Sequence, residues 1–105
     1  ITDSGKRVAV VASADLSHRL TKSSPGGYSK TAAKFDQQLV ELIQRQAADA
    51  LIGLDLAAVR REGVCGWRAI VTLFGALSKL RVTPAVLSYE SPFGVGYLVA
   101  NFKLE

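Results

Sequence analysis

The chain has no methionine, one cysteine, one histidine, one tryptophan and three prolines among its 105 residues. A single cysteine excludes an internal disulfide, so a reduced, cytoplasmic protein is the simplest expectation. One cysteine and one histidine cannot supply a Cys/His zinc site of the four-ligand kind. No apolar run approaches the ~20 residues of a membrane-spanning helix, and no charged-then-apolar leader opens the chain, so no membrane association is expected. The missing methionine, with Ile1 first, leads us to expect an excised or processed piece. Negative charge is also short, with 13 Lys and Arg against 9 Asp and Glu, a net +4. Such a surplus raises nucleic-acid binding as a hypothesis. Here the basic residues are scattered, Arg60-Arg61 is followed at once by Glu62, and aromatic and basic residues do not interleave. We read the surplus as solvated surface and expect no nucleic-acid partner.

What is present suits a single globular unit, since 49% of the residues are hydrophobic. Val8-Ala9-Val10-Val11-Ala12 is a continuous apolar run, which predicts a strand over 6–13 buried on both faces. Residues 14–31 lack periodicity and turn on Ser23-Ser24-Pro25-Gly26-Gly27, which predicts a long loop. Phe35, Leu39, Leu42, Ile43 and Ala47 then recur at helical spacing, with Asp36, Gln37, Glu41 and Arg45 between them. They predict a helix over 32–49. A short second helix follows, capped by Asp55 and stopped by Gly63. A third runs over 67–80 on the stripe Ala69, Ile70, Leu73, Phe74, Leu77 and Leu80. Two strands over 83–89 and 96–102 flank Ser91-Pro92-Phe93-Gly94, and so short a connection predicts antiparallel neighbours. The expected class is α/β, a mixed sheet packed with helices.

The candidate chemistry begins where the first predicted strand ends, at Ser13-Ala14-Asp15-Leu16-Ser17-His18. Ligands of open α/β sheets sit at such strand ends, and an imidazole exchanges protons near neutral pH. Asp15 either orients that ring or hydrogen-bonds the loop backbone. Ser17 and Arg19 border it, and Arg19 and Lys22 offer charge to an anionic ligand. Cys65, in Gly63-Val64-Cys65-Gly66-Trp67, stands at the mouth of the third helix. It is either a small buried hydrophobe or a thiolate favoured by the helix N-terminus, hence a nucleophile or soft metal ligand. Tyr89 and Glu90 lie before a glycine-rich turn and could border a pocket. Phe93-Gly94-Val95-Gly96-Tyr97 is not a phosphate loop, because it lacks the Lys-Ser/Thr ending and precedes a strand.

Five segments in order carry a resemblance: 12–21 around Asp15 and His18, Gly27-Tyr28, Phe35-Asp36, Glu62-Gly63-Val64-Cys65-Gly66-Trp67-Arg68, and 88–97. Together they resemble the class III extradiol ring-cleavage dioxygenase superfamily of the LigB catalytic-subunit type, and within it the bacterial Memo-like branch. The resemblance implies that residues 1–105 form the C-terminal portion of a larger three-layer α/β/α domain. It implies an aromatic ring-opening dioxygenase using non-haem iron(II) and dioxygen on a small aromatic substrate. His18 matches the acid/base histidine. Cys65 stands at the position of the glutamate metal ligand, a softer donor that admits copper or zinc. The two histidine ligands would lie outside this stretch, so the fragment alone is expected to be inactive and to retain no metal. The alternative is a non-enzymatic Memo-like protein that binds a metal or a phosphopeptide through a vestigial site. Exposed apolar surface on such a piece predicts a homo-oligomer.

Overall fold

The structure, a computed structural model, describes residues 2–105. A 3-10 turn at Thr2–Ser4 precedes α1 (Ala32–Gln44), α2 (Ala48–Ile52), α3 (Leu56–Arg61), α4 (Trp67–Leu77), β1 (Val82–Glu90) and β2 (Tyr97–Leu104). The strands pair antiparallel, from Val82 opposite Leu104 to Glu90 opposite Tyr97, with a bulge between Val86 and Ser88. The class is α/β, as the alternating periods imply, with helices packed on a two-stranded antiparallel sheet.

The strand expected over 6–13 does not form, and the sheet is not mixed. Among the described residues, 7–14 make no backbone hydrogen bond. Val8 and Val10 are about half exposed and Val11 is 83% exposed, where burial on both faces was expected. A strand exists through its partner's hydrogen bonds, and apolar β-branched residues do not replace them. The segment instead borders a cavity of about 800 Å³ whose far walls are α4 and β2.

The single helix expected over 32–49 is two. Gln46 adopts φ 54°, outside helical space, and the chain breaks there between α1 and α2. The side-chain amides of Gln46 and of Gln44, the last residue of α1, serve the sheet: Gln46 Nε2 donates to the Val82 carbonyl, and Gln44 Oε1 accepts from Val86 N. Asp55 caps α3 by accepting from Ala57 N at 3.0 Å, and Gly63 takes φ 66° just past its end. Both devices follow from the sequence.

The core joins the inner faces of α1, α3 and α4 through Leu39, Leu42, Ile43, Val59, Ile70 and Phe74, with Leu16 from the loop. Phe74 meets Phe102 of β2 edge to face at 5.4 Å. Leu16 is 1% exposed, so the 14–31 loop is anchored to the core just beside its histidine. Its backbone is further tied to the 94–96 turn: Leu16 N donates to Gly96 O, Gly96 N to Ser17 O, and Leu20 N to Gly94 O.

Candidate metal and proton-transfer site

Two loops meet at the site. The first, 14–19, is fixed from below by Asp36, which lies on the inner face of α1 and is fully buried. Both oxygens of the Asp36 carboxylate accept from Ser17 N, at 3.0 and 3.2 Å, and Oδ2 also accepts from the Tyr89 hydroxyl at 2.5 Å. Burial raises the Asp36 pKa above the ordinary carboxylate value. The hydrogen bonds from Tyr89 and Ser17 pull it down, and the nearby Glu62 charge adds to the rise. Burial, then donation to Asp36, pushes the Tyr89 hydroxyl far above its usual range, so it stays a donor.

The second loop, 62–66, joins α3 to α4. Glu62 is also fully buried. Its Oε1 accepts from the Thr31 hydroxyl and from Arg61 Nε. Burial raises its pKa, but hydrogen bonds from Thr31, Ser29 and Arg61, with the Arg61 charge, outweigh that and leave it lowered.

Besides the long contact of Cys65 Sγ to the Asp15 carbonyl at 3.8 Å, three hydrogen bonds stitch the loops together. Ser17 Oγ donates to the Glu62 carbonyl at 2.5 Å, His18 Nδ1 meets the Gly63 carbonyl at 2.7 Å, and Gly66 N donates to the Asp15 carbonyl at 3.0 Å. The approach needs a glycine at 66. A Cβ there would run into Ala14 Cβ and sit 2.6 Å from the Asp15 carbonyl oxygen.

The contact at Gly63 fixes the histidine tautomer. A carbonyl only accepts, so Nδ1 carries the proton and Nε2 presents a lone pair. That nitrogen lies 3.9 Å from Cys65 Sγ and 3.9 Å from Asp15 Oδ2. Ligand atoms of Asp15, His18 and Cys65 all lie within 4.8 Å of one another. The cysteine is exposed rather than a buried hydrophobe, and the Asp15 and His18 side chains are 43% and 27% exposed. The group is thus open to solvent or ligand.

A carboxylate, an imidazole and a thiol form a mixed donor set suited to a borderline or soft transition metal. The Nδ1–H to carbonyl contact is the support that metal-bound histidines use. The Cys65 thiol, with the Asp15 carboxylate close by, therefore fits a transition metal ion, and His18 beside it keeps Nε2 free to exchange a proton. The same geometry suits proton transfer, since a proton taken by Nε2 would face the Asp15 carboxylate.

The chain matches, over residues 1–100, the family described as the catalytic LigB subunit of aromatic ring-opening dioxygenase. It belongs to the LigB family. It is also 35% identical over 105 residues to Protein CA_C1420 of Clostridium acetobutylicum. That alignment covers all of this chain and 22% of the clostridial protein.

The remaining predicted residues of this LigB-family chain have other surroundings. Ser17 is buried and serves the stitching. The Arg19 guanidinium donates to the carbonyls of Gly26, Arg61 and Tyr28, so its donors are spent on the loop backbone. Lys22 is exposed. Tyr89 reaches the site through Asp36 and Ser17, and Glu90 is exposed at the end of β1. Neither lines the cavity of about 520 Å³ that opens beside His18 and Cys65. Sequence reasoning missed Asp36, treated as one of the polar residues between apolar ones. Its place four residues after Ala32 and three before Leu39, both buried, was the available signal. Asp36 and Glu62 also stand in two of the segments that carry the family resemblance, but neither was given a role there.

Proposed function

We propose that the chain is the C-terminal part of an extradiol ring-opening dioxygenase of the LigB type, acting on a small aromatic substrate. The observation that supports this most is the convergence of Asp15, His18 and Cys65, which are 50 residues apart at the extremes in numbering. A non-haem iron(II) ion, when bound, supplies the redox chemistry that brings dioxygen to the ring. Cys65 Sγ would be the donor this chain gives to that metal. His18 Nε2 accepts a proton from a substrate hydroxyl, while Nδ1–H stays on the Gly63 carbonyl. Asp15 then faces the imidazolium and holds it. The cytoplasm, as a reducing compartment, suits an exposed free thiol at the site. We propose a homo-oligomer on the exposed valines at 8, 10 and 11.

Cobalt(II) titration of the longer protein tests the donor. A thiolate-to-cobalt charge-transfer band is expected, lost in Cys65→Ser and retained in His18→Ala. No band at excess cobalt overturns the metal assignment. On the longer protein, catechol-dependent oxygen uptake should be abolished by His18→Ala. A second reading is favoured by one feature, the sulfur donor: a thiolate suits copper(I) or zinc, and would make this a metal-binding protein without ring cleavage. Metal-replete protein that takes up no oxygen with catechol selects it.

A further inference from the structure

We propose that the cavity beside His18 and Cys65 binds a small ligand with an apolar body and an oxyanion, the anion held by Arg60 and Arg68. The inference deepens the proposed function by naming a substrate class for that site, and binding itself requires no metal.

The cavity, at about 520 Å³, is of small-molecule size. Leu56, Val59 and Val64 form an apolar wall, with Trp67 beside them. Trp67 is held rigidly, its Nε1 donating to the Leu51 carbonyl at 2.8 Å. Charge in the lining has one sign: Arg60 and Arg68 border it, and no carboxylate does. Such a wall with two cations on it repels a cationic ligand and gives a neutral one no partner for the charges.

The two arginines differ from their neighbours. Arg19 spends its guanidinium on three carbonyls, and Arg61 pairs with Glu62. The guanidinium groups of Arg60 and Arg68 have no ion pair or hydrogen bond among the described residues. Arg60 lies in the last turn of α3, where the helix dipole accepts a cation. Arg68 has no such explanation. It stands in the first turn of α4, which has no acidic residue and no capping side chain. The dipole disfavours a cation there and favours an anion. An oxyanion between the arginines satisfies both guanidinium groups and the helix terminus. Its apolar body then lies on the Leu56–Trp67 wall, which places the far end toward His18 Nε2 and Cys65 Sγ.

Trp67, the single tryptophan, reports on the cavity directly. Metal-free protein in a chelating buffer is titrated with benzoate, phenyl phosphate and the neutral benzamide while Trp67 emission is followed. We expect one of the anions to bind at least about tenfold tighter than benzamide, the scale of one charge-assisted hydrogen bond. Benzoate and phenyl phosphate together show which oxyanion is preferred. The preference should vanish in Arg60→Gln/Arg68→Gln and survive in part in Arg60→Lys/Arg68→Lys. Both pairs are exposed, and an unchanged circular dichroism spectrum verifies the fold. Equal affinity for the anions and benzamide, no binding of either anion, or a preference untouched by the Gln pair overturns the proposal. Because metal is chelated throughout, those outcomes are independent of the cobalt titration. A chain that binds no cobalt but prefers an anion refutes the metal site alone.

Discussion

Asp36→Ala removes a buried acceptor from under the histidine loop without touching the site itself. In the wild-type chain the carboxylate takes Ser17 N at 3.0 and 3.2 Å and the Tyr89 hydroxyl at 2.5 Å, in a fully buried position. The alanine leaves two donors in the interior without an acceptor, each costing about 1–3 kcal/mol. Relief of the buried charge offsets part of this, since burial already disfavours the ionised form. The net loss should be about 2–4 kcal/mol, a large share of the ~5–15 kcal/mol that holds a domain folded. For a chain of this size that lowers Tm by roughly 10–30 °C. Urea and thermal unfolding, followed by far-ultraviolet circular dichroism, measure it. The His18 ring resonances should shift as well, because Ser17 fixes the loop that aims the ring. A loss below about 1 kcal/mol with unmoved His18 resonances would refute the idea that Asp36 pins this loop.

The same carboxylate sets a pH dependence. Its pKa is raised in the folded chain, so its contribution is complete below the unfolded value of about 4 and is lost as pH rises through the folded value. The stability cost of Asp36→Asn should therefore shrink as pH climbs through that window. Glu62 has the opposite sign. Its pKa is lowered, so its stabilisation is present above about 4.3 and fades as pH falls through the folded value. Glu62→Gln should be less stable than wild type at neutral pH, with the gap closing in acid. Gly66→Ala drives a methyl into Ala14 and the Asp15 carbonyl. It should separate the two loops and abolish the Cys65-dependent cobalt band, read beside a circular dichroism control. The exposed Val8, Val10 and Val11 predict self-association. Light scattering should show species larger than the monomer, reduced by Val11→Lys, and a monodisperse monomer at high concentration contradicts this.

Local elements were legible in the sequence where the signal was local. The apolar spacing of α1 and α4, the Asp55 cap, the Gly63 stop and the short β1–β2 connection each act within a few residues. The failures have equally specific causes. Val8–Ala12 has strand composition, yet a strand requires a partner's backbone, which composition does not reveal. Gln44 and Gln46 read as helix, yet their amides hydrogen-bond the sheet, and the helix breaks at Gln46. In the candidate site, Asp15 and His18 drew notice because they follow an apolar run, and Cys65 chiefly because its Cys-Gly segment matches the family resemblance. The part played by Asp36 was missed, because a polar residue on a helix is ordinarily solvated.

By itself, the order of residues determined the helices and the hairpin, the lone imidazole and thiol as candidate groups, and the family to which the chain belongs. Only the tertiary structure decided that His18 Nδ1 faces the Gly63 carbonyl and frees Nε2 toward Cys65 and Asp15. It alone decided that Arg19 is spent on backbone while Arg60 and Arg68 are not. Helix periods and caps arise from neighbours within a turn or two. The direction of a lone pair, or the partner of a guanidinium, is set by groups some 40 residues away that packing brings within a few ångströms.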